Sequence, residues 1–480
     1  MTTGPRPPSL AAYLGGLAAT VKGRLAPAAD GEHLRGELYA LASTLRLLAG
    51  LVEDLPAELA DDEAALTGVL DVLDALGPGG DDLRGRLAAV FRDRVAGGGD
   101  GLLAHPAVRS YLARDLARRH AALFGPAGGA PPEGVAAEGR GRSLADPGVR
   151  ARLEAFLAEC LDAPDLRITV IAGTTQGFAA ETVVCTVEAA GGTPQRMVVR
   201  AQWPELLLSA IPAPVERQAA AMAVARRAGL PVPRVHGVAP GEEPVGAPLH
   251  VTEHVEGSVL TPWTPEGRAL LDRIRESLGP VFLDHLAALH AADWRGSGLV
   301  EETAGDALSR LRARLERVES LYRQAELRPD PLVDLALGWL SARADQWGEE
   351  VLIHGDFRPG NLIFGEDGSV RAVIDWDASK VTDFHEELGQ LTLWAYRQDG
   401  LACGLFPDER LLGEYASRTG REIDPAGLRY YQVLMTIQHL LVFVILARSW
   451  LDRGGDVRGA RTLFTLADSR SELGRLLGVT

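Results

Sequence analysis

The stretch Val351 to Asp377, VLIHGDFRPGNLIFGEDGSVRAVIDWD, sets His354 two residues before Asp356, Asn361 five residues after it, and Asp375 at the end of the next apolar run. This is the spacing of a phosphoryl-transfer loop followed by a metal-binding aspartate. Transfer from ATP asks little covalent chemistry of a protein, but it needs Mg2+ on the phosphates and an acceptor hydroxyl held in line. Asn361 and Asp375 offer hard oxygen atoms of the kind Mg2+ takes. Asp356 would orient the hydroxyl and take its proton late. A carboxylate, with an unperturbed pKa of about 4, is a weak base, so positioning should matter more than basicity. Arg358 would place positive charge beside the migrating group. The structural alternative is that His-Gly-Asp opens an ordinary turn, Asn361 caps it and Asp375 ends a strand. Four specified residues at fixed spacing, in a loop and hairpin of the right order, weigh against coincidence.

Other segments must position these residues. Residues 8 to 124 repeat apolar positions at helical spacing, as in Leu38, Leu41, Leu45 and Leu48, which predicts an all-helical N-terminal domain over 1–124. From 125 to 146 the chain is rich in Gly, Pro and Ala and reads as a flexible linker. A short helix is expected over 148 to 161. The runs RITVIAG, ETVVCTVEAA, RMVVRAQ and LHVTEHV then predict strands, with an alanine-rich helix from about 214 to 228 among them, giving a small sheet lobe over 147–257. From 258 to 480 the pattern is mainly helical, apart from one hairpin between Val351 and Asp375 with Glu366, Asp367 and Gly368 at its turn. The fold class is therefore α+β, with a helical domain in front.

At 480 residues the chain is long enough for several cores. The net charge is −16, and of 49 basic residues only Lys22 and Lys380 are lysines. An acidic chain without lysine clusters attracts phosphate backbones and anionic membranes poorly, so neither nucleic acid nor membrane is an expected partner. Schiff-base and lysine general-base chemistry is nearly excluded as well. Cys160, Cys185 and Cys403 lie far apart without ligand spacing, which argues against a disulfide framework or structural zinc and suits a cytoplasmic location. The N-terminus lacks a signal-peptide pattern. Val433 to Ala447 contains Gln438 and His439, falls short of the roughly 20 apolar residues a bilayer needs, and reads as a buried core helix.

With HGDFRPGN and VIDWD in view, residues 147 to 480 resemble the aminoglycoside phosphotransferase and choline kinase-like group, whose fold is two-lobed and protein-kinase-like. The resemblance implies that Asp356 matches the catalytic aspartate, Asn361 and Asp375 the Mg2+ ligands, and His354 the histidine that structures the loop. Asp377 and Asp383 fall where the family has acids, and each is equally readable as a cap or turn residue. In the segment Ile171 to Thr182, Gly173 and Gly177 would let backbone N–H groups approach phosphates or would simply make a hairpin. The family has Ser and Asn where Ala179 and Ala180 stand, and Thr174 or Thr175 would have to substitute. A kinase-like lobe needs a cation on its third strand. No lysine is present between 23 and 379, so Arg200 takes that place, unless it is an outward edge-strand arginine. Its helix partner is Glu216 or Gln218, which lie about 200° apart on a helix and cannot both face it. Glu253, His254 and Val255 resemble the hinge that binds adenine, as would a plain half-buried strand. His290 is read as a satisfied core histidine outside the site.

The resemblance implies an enzyme that uses ATP and Mg2+ to phosphorylate a small hydroxyl acceptor: aminoglycoside-like, choline-like or hydroxy-acyl. Seven tryptophans from Trp263 onward would suit a quaternary ammonium or would be core. Glu386, Glu387, Asp399, Asp408 and Glu409 would draw a polycation. The arginine-rich helix Leu308 to Arg323 would give a basic groove for a thioester or a solvated face. The alternative class is a nucleotide-binding regulatory pseudokinase, motivated by Ala179, Ala180 and the Glu216/Gln218 ambiguity. The N-terminal helical domain would serve docking to a partner protein or homo-oligomerisation.

Overall fold

A computed structural model describes residues 108–109, 111–113 and 143–479, apart from 174–178, 205, 207, 210, 212, 262–264, 301–304, 326–329 and 454–456. Most of the expected N-terminal domain and the linker as far as residue 142 lie outside the described residues. The chain divides into two compact units. One runs from Arg140 to Arg310 and resumes from Asp345 to Gln432; the other takes in Leu311–Ala344 and Val433–Thr480.

In the first unit, helix α1 (Pro147–Cys160) leads into a five-stranded sheet of β1 (Arg167–Gly173), β2 (Glu181–Glu188), β3 (Gln195–Ala201), β4 (Val235–Ala239) and β5 (Leu249–Glu253). The order is β1-β2-β3-β5-β4, and neighbouring strands pair antiparallel throughout. Alternation decides which face is covered. Val183, Cys185, Val187, Met197, Val199, Leu249 and Val251 are buried with Val149, Leu153 and Leu157 of α1. The opposite face keeps Val184, Val198 and Arg200 half-buried. Helix α2 (Val215–Arg227) connects β3 to β4 and packs on β4 and β5.

The linker gives up its last four residues to this lobe. Leu144 is fully buried, Ser143 Oγ donates to Glu181 Oε1 at 2.7 Å, and the Leu144 N–H donates to Glu181 Oε2 at 3.0 Å. Trp203 Nε1 donates to the same carboxylate at 2.6 Å. The lobe thus takes in 143–146, ahead of the expected start at 147, because a buried carboxylate recruits donors that precede the helix.

After β6 (Ser258–Val259), helix α3 (Pro265–His290) buries Phe282, Leu283, Leu286 and Leu289 in a second core. That core also holds Val351, Leu352 and Ile353 of β7 (Glu350–Ile353), and Ala221, Met222 and Ala225 of α2. The expected hairpin is narrower than the sequence suggests. It joins β8 (Leu362–Phe364) to β9 (Val370–Val373), with Gly368 at φ +77° in its turn, and β6 adds to its edge. Strand β7 pairs instead with β10 (Lys380–Asp383), a short strand whose sequence carries little apolar alternation. Helix α6 (His385–Leu391) follows, then a small β11–β12 hairpin (Arg397–Gln398, Leu401–Ala402) and α7 (Asp408–Thr419).

The span 258–480 is not one lobe. In α4 (Ala307–Ala325) the stripe Leu311, Leu315, Val318 and Tyr322 is buried, and α5 (Pro331–Ala342) is buried almost all round. Helix α5 packs against α9 (Val457–Leu476), and Asp330 forms an ion pair with the buried Arg470. Helical periodicity shows that a face must be covered, not by what. Helix α8 (Pro425–Arg453) exceeds the apolar run read from sequence. Its stretch Pro425–Arg448 is long and apolar enough to cross a membrane by length and composition, yet 72% of its most apolar part is buried in the protein.

Replacing Glu181 by Ala leaves the Trp203 indole, the Leu144 N–H and the Ser143 hydroxyl without their acceptor. It should lower stability by about 3 kcal/mol, read by urea denaturation. A loss under about 0.5 kcal/mol would show that 143–146 are not part of the lobe.

Candidate active site

The loop from His354 to Asn361 connects β7 to β8, and its course is fixed from below. Glu387 of α6 is fully buried; its Oε2 accepts the His354 N–H at 3.0 Å and its Oε1 the Gly355 N–H at 2.8 Å. His290 Nε2 lies 3.2 Å from Oε2, and His290 Nδ1 lies 2.7 Å from the Tyr415 hydroxyl. His290 is therefore the satisfied core residue expected. Burial pushes the Glu387 carboxyl up, but the hydrogen bond and charge of His290, with His354 behind, hold it below its usual range. Gly355 turns the loop at φ +79°, where an added Cβ would stand 2.5 Å from the Ala378 carbonyl oxygen.

His354 is buried, with Nε2 3.0 Å from the Ile374 carbonyl oxygen and Nδ1 accepting the Asp356 N–H at 3.2 Å. Those partners select the neutral tautomer protonated at Nε2. His354 ties the loop to the segment that carries Asp375 and does not face the reacting side. Asn361 Nδ2 donates to the Asp356 carbonyl oxygen at 2.9 Å and to Asp356 Oδ2 at 2.7 Å, which leaves its Oδ1 as an acceptor. The Ile374 N–H donates to the Asn361 carbonyl oxygen at 3.0 Å, so Asn361 and Asp375 are backbone neighbours across the hairpin. Arg358 Nε donates to both oxygens of Asp356, at 3.1 and 3.2 Å.

Arg200 reaches from the open face of the sheet to this hairpin, with Nη1 3.0 Å from Asp375 Oδ1 and Nη2 2.7 Å from Asp377 Oδ2. Asp375 sits in left-handed backbone, φ +69°, uncommon for a residue with a side chain. Burial pushes its carboxyl up, but the charge and hydrogen bond of Arg200, with Arg358 behind, outweigh that and hold it low. Asp377 goes the other way, raised by burial and by the neighbouring Asp375 charge against the pull of Arg200. Its Oδ1 is buried without a hydrogen-bond partner. Among the described residues no cluster of three or more His, Cys, Asp and Glu side chains could cage a metal ion. Two carboxylates and a carboxamide oxygen still fit Mg2+, which keeps several waters and takes further oxygens from phosphates.

A family model described as the phosphotransferase enzyme family, APH, matches residues 176–431. The chain belongs to this family. Among solved structures, a protein from Ralstonia eutropha JMP134 classed provisionally as an aminoglycoside phosphotransferase is 21% identical with a TM-score of 0.50, the match covering 68% of this chain and 98% of that one. That likeness concerns the fold, which is the two-lobed kinase-like one expected. Among curated proteins, mouse acyl-CoA dehydrogenase family member 10 is 28% identical over 170 residues, 35% of this chain and 16% of that protein. Rat acyl-CoA dehydrogenase family member 11 is 26% identical over 170 residues, 35% of this chain and 21% of that protein. The phosphotransferase chain thus spans about a fifth or less of these relatives' lengths.

Several expectations change in the phosphotransferase structure. Neither Glu216 nor Gln218 partners Arg200. Glu216 is exposed, while Gln218 is buried and donates to the Ala213 carbonyl oxygen at 2.8 Å. The carboxylates come from the hairpin instead, because an extended arginine on β3 reaches the Asp375–Asp377 turn. Strand β5 ends at Glu253. The N–H groups of Glu253 and His254 are taken by the carbonyl oxygens of Arg234 and Arg196, so neither can serve adenine. No hydrogen bond of the Val255 N–H is found among the described residues. Gly173 ends β1, and Gly177, Thr174 and Thr175 lie outside the described residues. Asp383 is a cap, accepting the His385 N–H at 2.9 Å and lying 2.7 Å from His385 Nδ1.

Glu386 and Glu387 are fully buried and paired, so they cannot draw a cationic substrate. Trp339 and Trp376 are buried core residues. Sequence reasoning missed the structural role of Glu387 and missed Tyr396, whose hydroxyl donates to Asp356 Oδ1 at 2.6 Å. Glu387 stands beside His385 and Glu386 in HEELGQL, where nothing local marks it out, and Tyr396, in a short turn after that helix, gave no signal.

Glu387→Gln keeps the volume but turns an NH2 toward an N–H donor, and should cost about 2–3 kcal/mol at pH 7. Because the folded carboxyl sits below its unfolded value of about 4.3, its stabilisation is complete above that pH and fades as pH falls through the folded value. The gap between wild type and variant in urea denaturation should therefore be full at pH 7 and shrink in the acid limb. A gap that widens on acidification would contradict the assignment.

Proposed function

We propose that this phosphotransferase moves the γ-phosphoryl group of ATP, with Mg2+, to a hydroxyl of a small molecule. The observation that carries the reading is the convergence of Asp356, Asn361 and Asp375 on one hairpin, with Arg200 reaching them from the sheet. In this reading Asp356 accepts the hydrogen bond of the acceptor hydroxyl and its proton as the bond to phosphorus forms. Arg358 supplies positive charge beside the transferring group. Asn361 Oδ1 and Asp375 would hold Mg2+, which neutralises developing charge on the phosphates. Arg200 serves as the phosphate-side cation, and Val184 and Val198 on the same face form an apolar surface suited to a base. His354 and Glu387 position the loop and touch no substrate.

Of the three acceptor classes, the hydroxy-acyl one has most support. The curated relatives are acyl-CoA dehydrogenase family members. The acids nearest the site that would favour a polycation are buried.

The test uses radiolabelled ATP and Mg2+ with amino sugars, choline analogues, macrolides and hydroxy-acyl compounds. Asp356→Ala should retain ATP binding and lose transfer by about a thousand-fold or more. Asp375→Ala should lose transfer together with the Mg2+ dependence of ATP binding. Transfer that survives Asp356→Ala would sink the assignment of that residue.

A further inference from the structure

Asp356 is the point on which the reaction would turn, and each of its carboxylate oxygens already takes two contacts from three donors. An ionised carboxylate offers about four lone-pair positions. Oδ1 takes the Tyr396 hydroxyl at 2.6 Å and Arg358 Nε at 3.1 Å; Oδ2 takes Asn361 Nδ2 at 2.7 Å and the same Arg358 Nε at 3.2 Å. An acceptor hydroxyl must approach a carboxylate oxygen to about 2.6–3.2 Å, where both oxygens are already engaged, so a donor must yield its position.

The donors differ in how firmly they are held. Asn361 is pinned by a second bond to the Asp356 carbonyl oxygen. Arg358 leaves from the same loop, and its guanidinium packs against Gly360, where an added Cβ would meet Nη1 at 2.3 Å. Tyr396 comes from a turn that follows α6, forty positions along the chain, and is half-buried. It alone among the three presents an O–H to the carboxylate, as an acceptor would. Gln390 Nε2 donates to its oxygen at 2.5 Å, so the phenol is steered toward Asp356. Asp356 keeps 23% of its side chain exposed, which leaves a way in.

We propose that the Tyr396 hydroxyl holds the place of the acceptor hydroxyl on Asp356 and keeps water out of it until an acceptor displaces it. The inference rests on the ATP-dependent reading above. Without the phenol, a water in that place would form its bond to the γ-phosphorus while the bond from that phosphorus to the bridging oxygen breaks. Its proton would pass to Asp356 and ADP would leave, a futile hydrolysis. Burial and the Asp356 charge push the Tyr396 phenol well above its ordinary pKa, which keeps it a proton donor and a poor nucleophile.

The experiment measures ATP affinity and ADP release with Mg2+ and no acceptor. Tyr396→Phe should bind ATP as wild type does and hydrolyse it about ten-fold faster. The rise should vanish in the Asp356→Ala, Tyr396→Phe double variant. A merely structural role for Tyr396 would lower hydrolysis, never raise it. Should Tyr396→Phe not fold, Gln390→Met, which releases the phenol from its other side, carries the same test with the same sign. Retained ATP binding with hydrolysis unchanged or lower overturns this inference alone, as does a rise that persists in the double variant. Absence of ATP binding in wild type and variants overturns the nucleotide reading and this inference with it.

Discussion

A carboxylate cut off from water is tolerable only when every oxygen finds a donor, and Glu387 is such a carboxylate. It takes two successive backbone N–H groups at the start of the loop and the ring of His290. Much else follows from that demand. Two N–H groups can point at one carboxylate only if the backbone turns between them, and the turn is made by Gly355 in left-handed conformation. With the turn set, the His354 ring lies beside Trp376, 4.6 Å between centroids, and bridges the Ile374 carbonyl oxygen to the Asp356 N–H. One buried acid on α6 thereby sets the distance between the loop that carries Asp356 and the strand end that carries Asp375.

The second constraint is chemical and comes from composition. With lysine all but absent, the cation on β3 is a guanidinium, and its two terminal nitrogens address two different carboxylates. A lysine ammonium is a point charge on a flexible stem and would not impose the same planar geometry. The fork lets the Asp375–Asp377 turn keep two neighbouring acids in a half-buried place. It also explains why the pair divides, Asp375 held low and Asp377 pushed up, since one cation must serve both.

The legible parts of the sequence were those where residue type and spacing carry the chemistry themselves. His354, Asp356, Asn361 and Asp375 stand together as their spacing implied, and the strands with clear alternation formed. What stayed hidden was set by partners far along the chain. Strand β4, VHGVA, has a glycine at its centre and too little alternation to stand out. Strand β10 exists because β7 needs an edge partner. Glu216 looked like the mate of Arg200 because kinase-like lobes use that helix, yet nothing local says how far an arginine extends. Tyr396 meets Asp356 only because α6 and the turn after it bring it back, a relation no short motif encodes.

The residues that build the site are drawn from one of the two compact units. The family match ends at 431 and the compact unit that carries the site ends at Gln432. Leu311–Ala344 lies within the matched span in sequence but belongs to the other unit, where α5 packs against α9. Among the described residues, the side chains hydrogen-bonded to Asp356 or Arg200 come from outside it. The hydrogen bonds that fix the loop run among α3, α6, α7 and the hairpin, and none is drawn from α5 or α9. The loop depends on a buried acid and its immediate donors, His354, Gly355 and His290, all of which belong to the unit that carries the site.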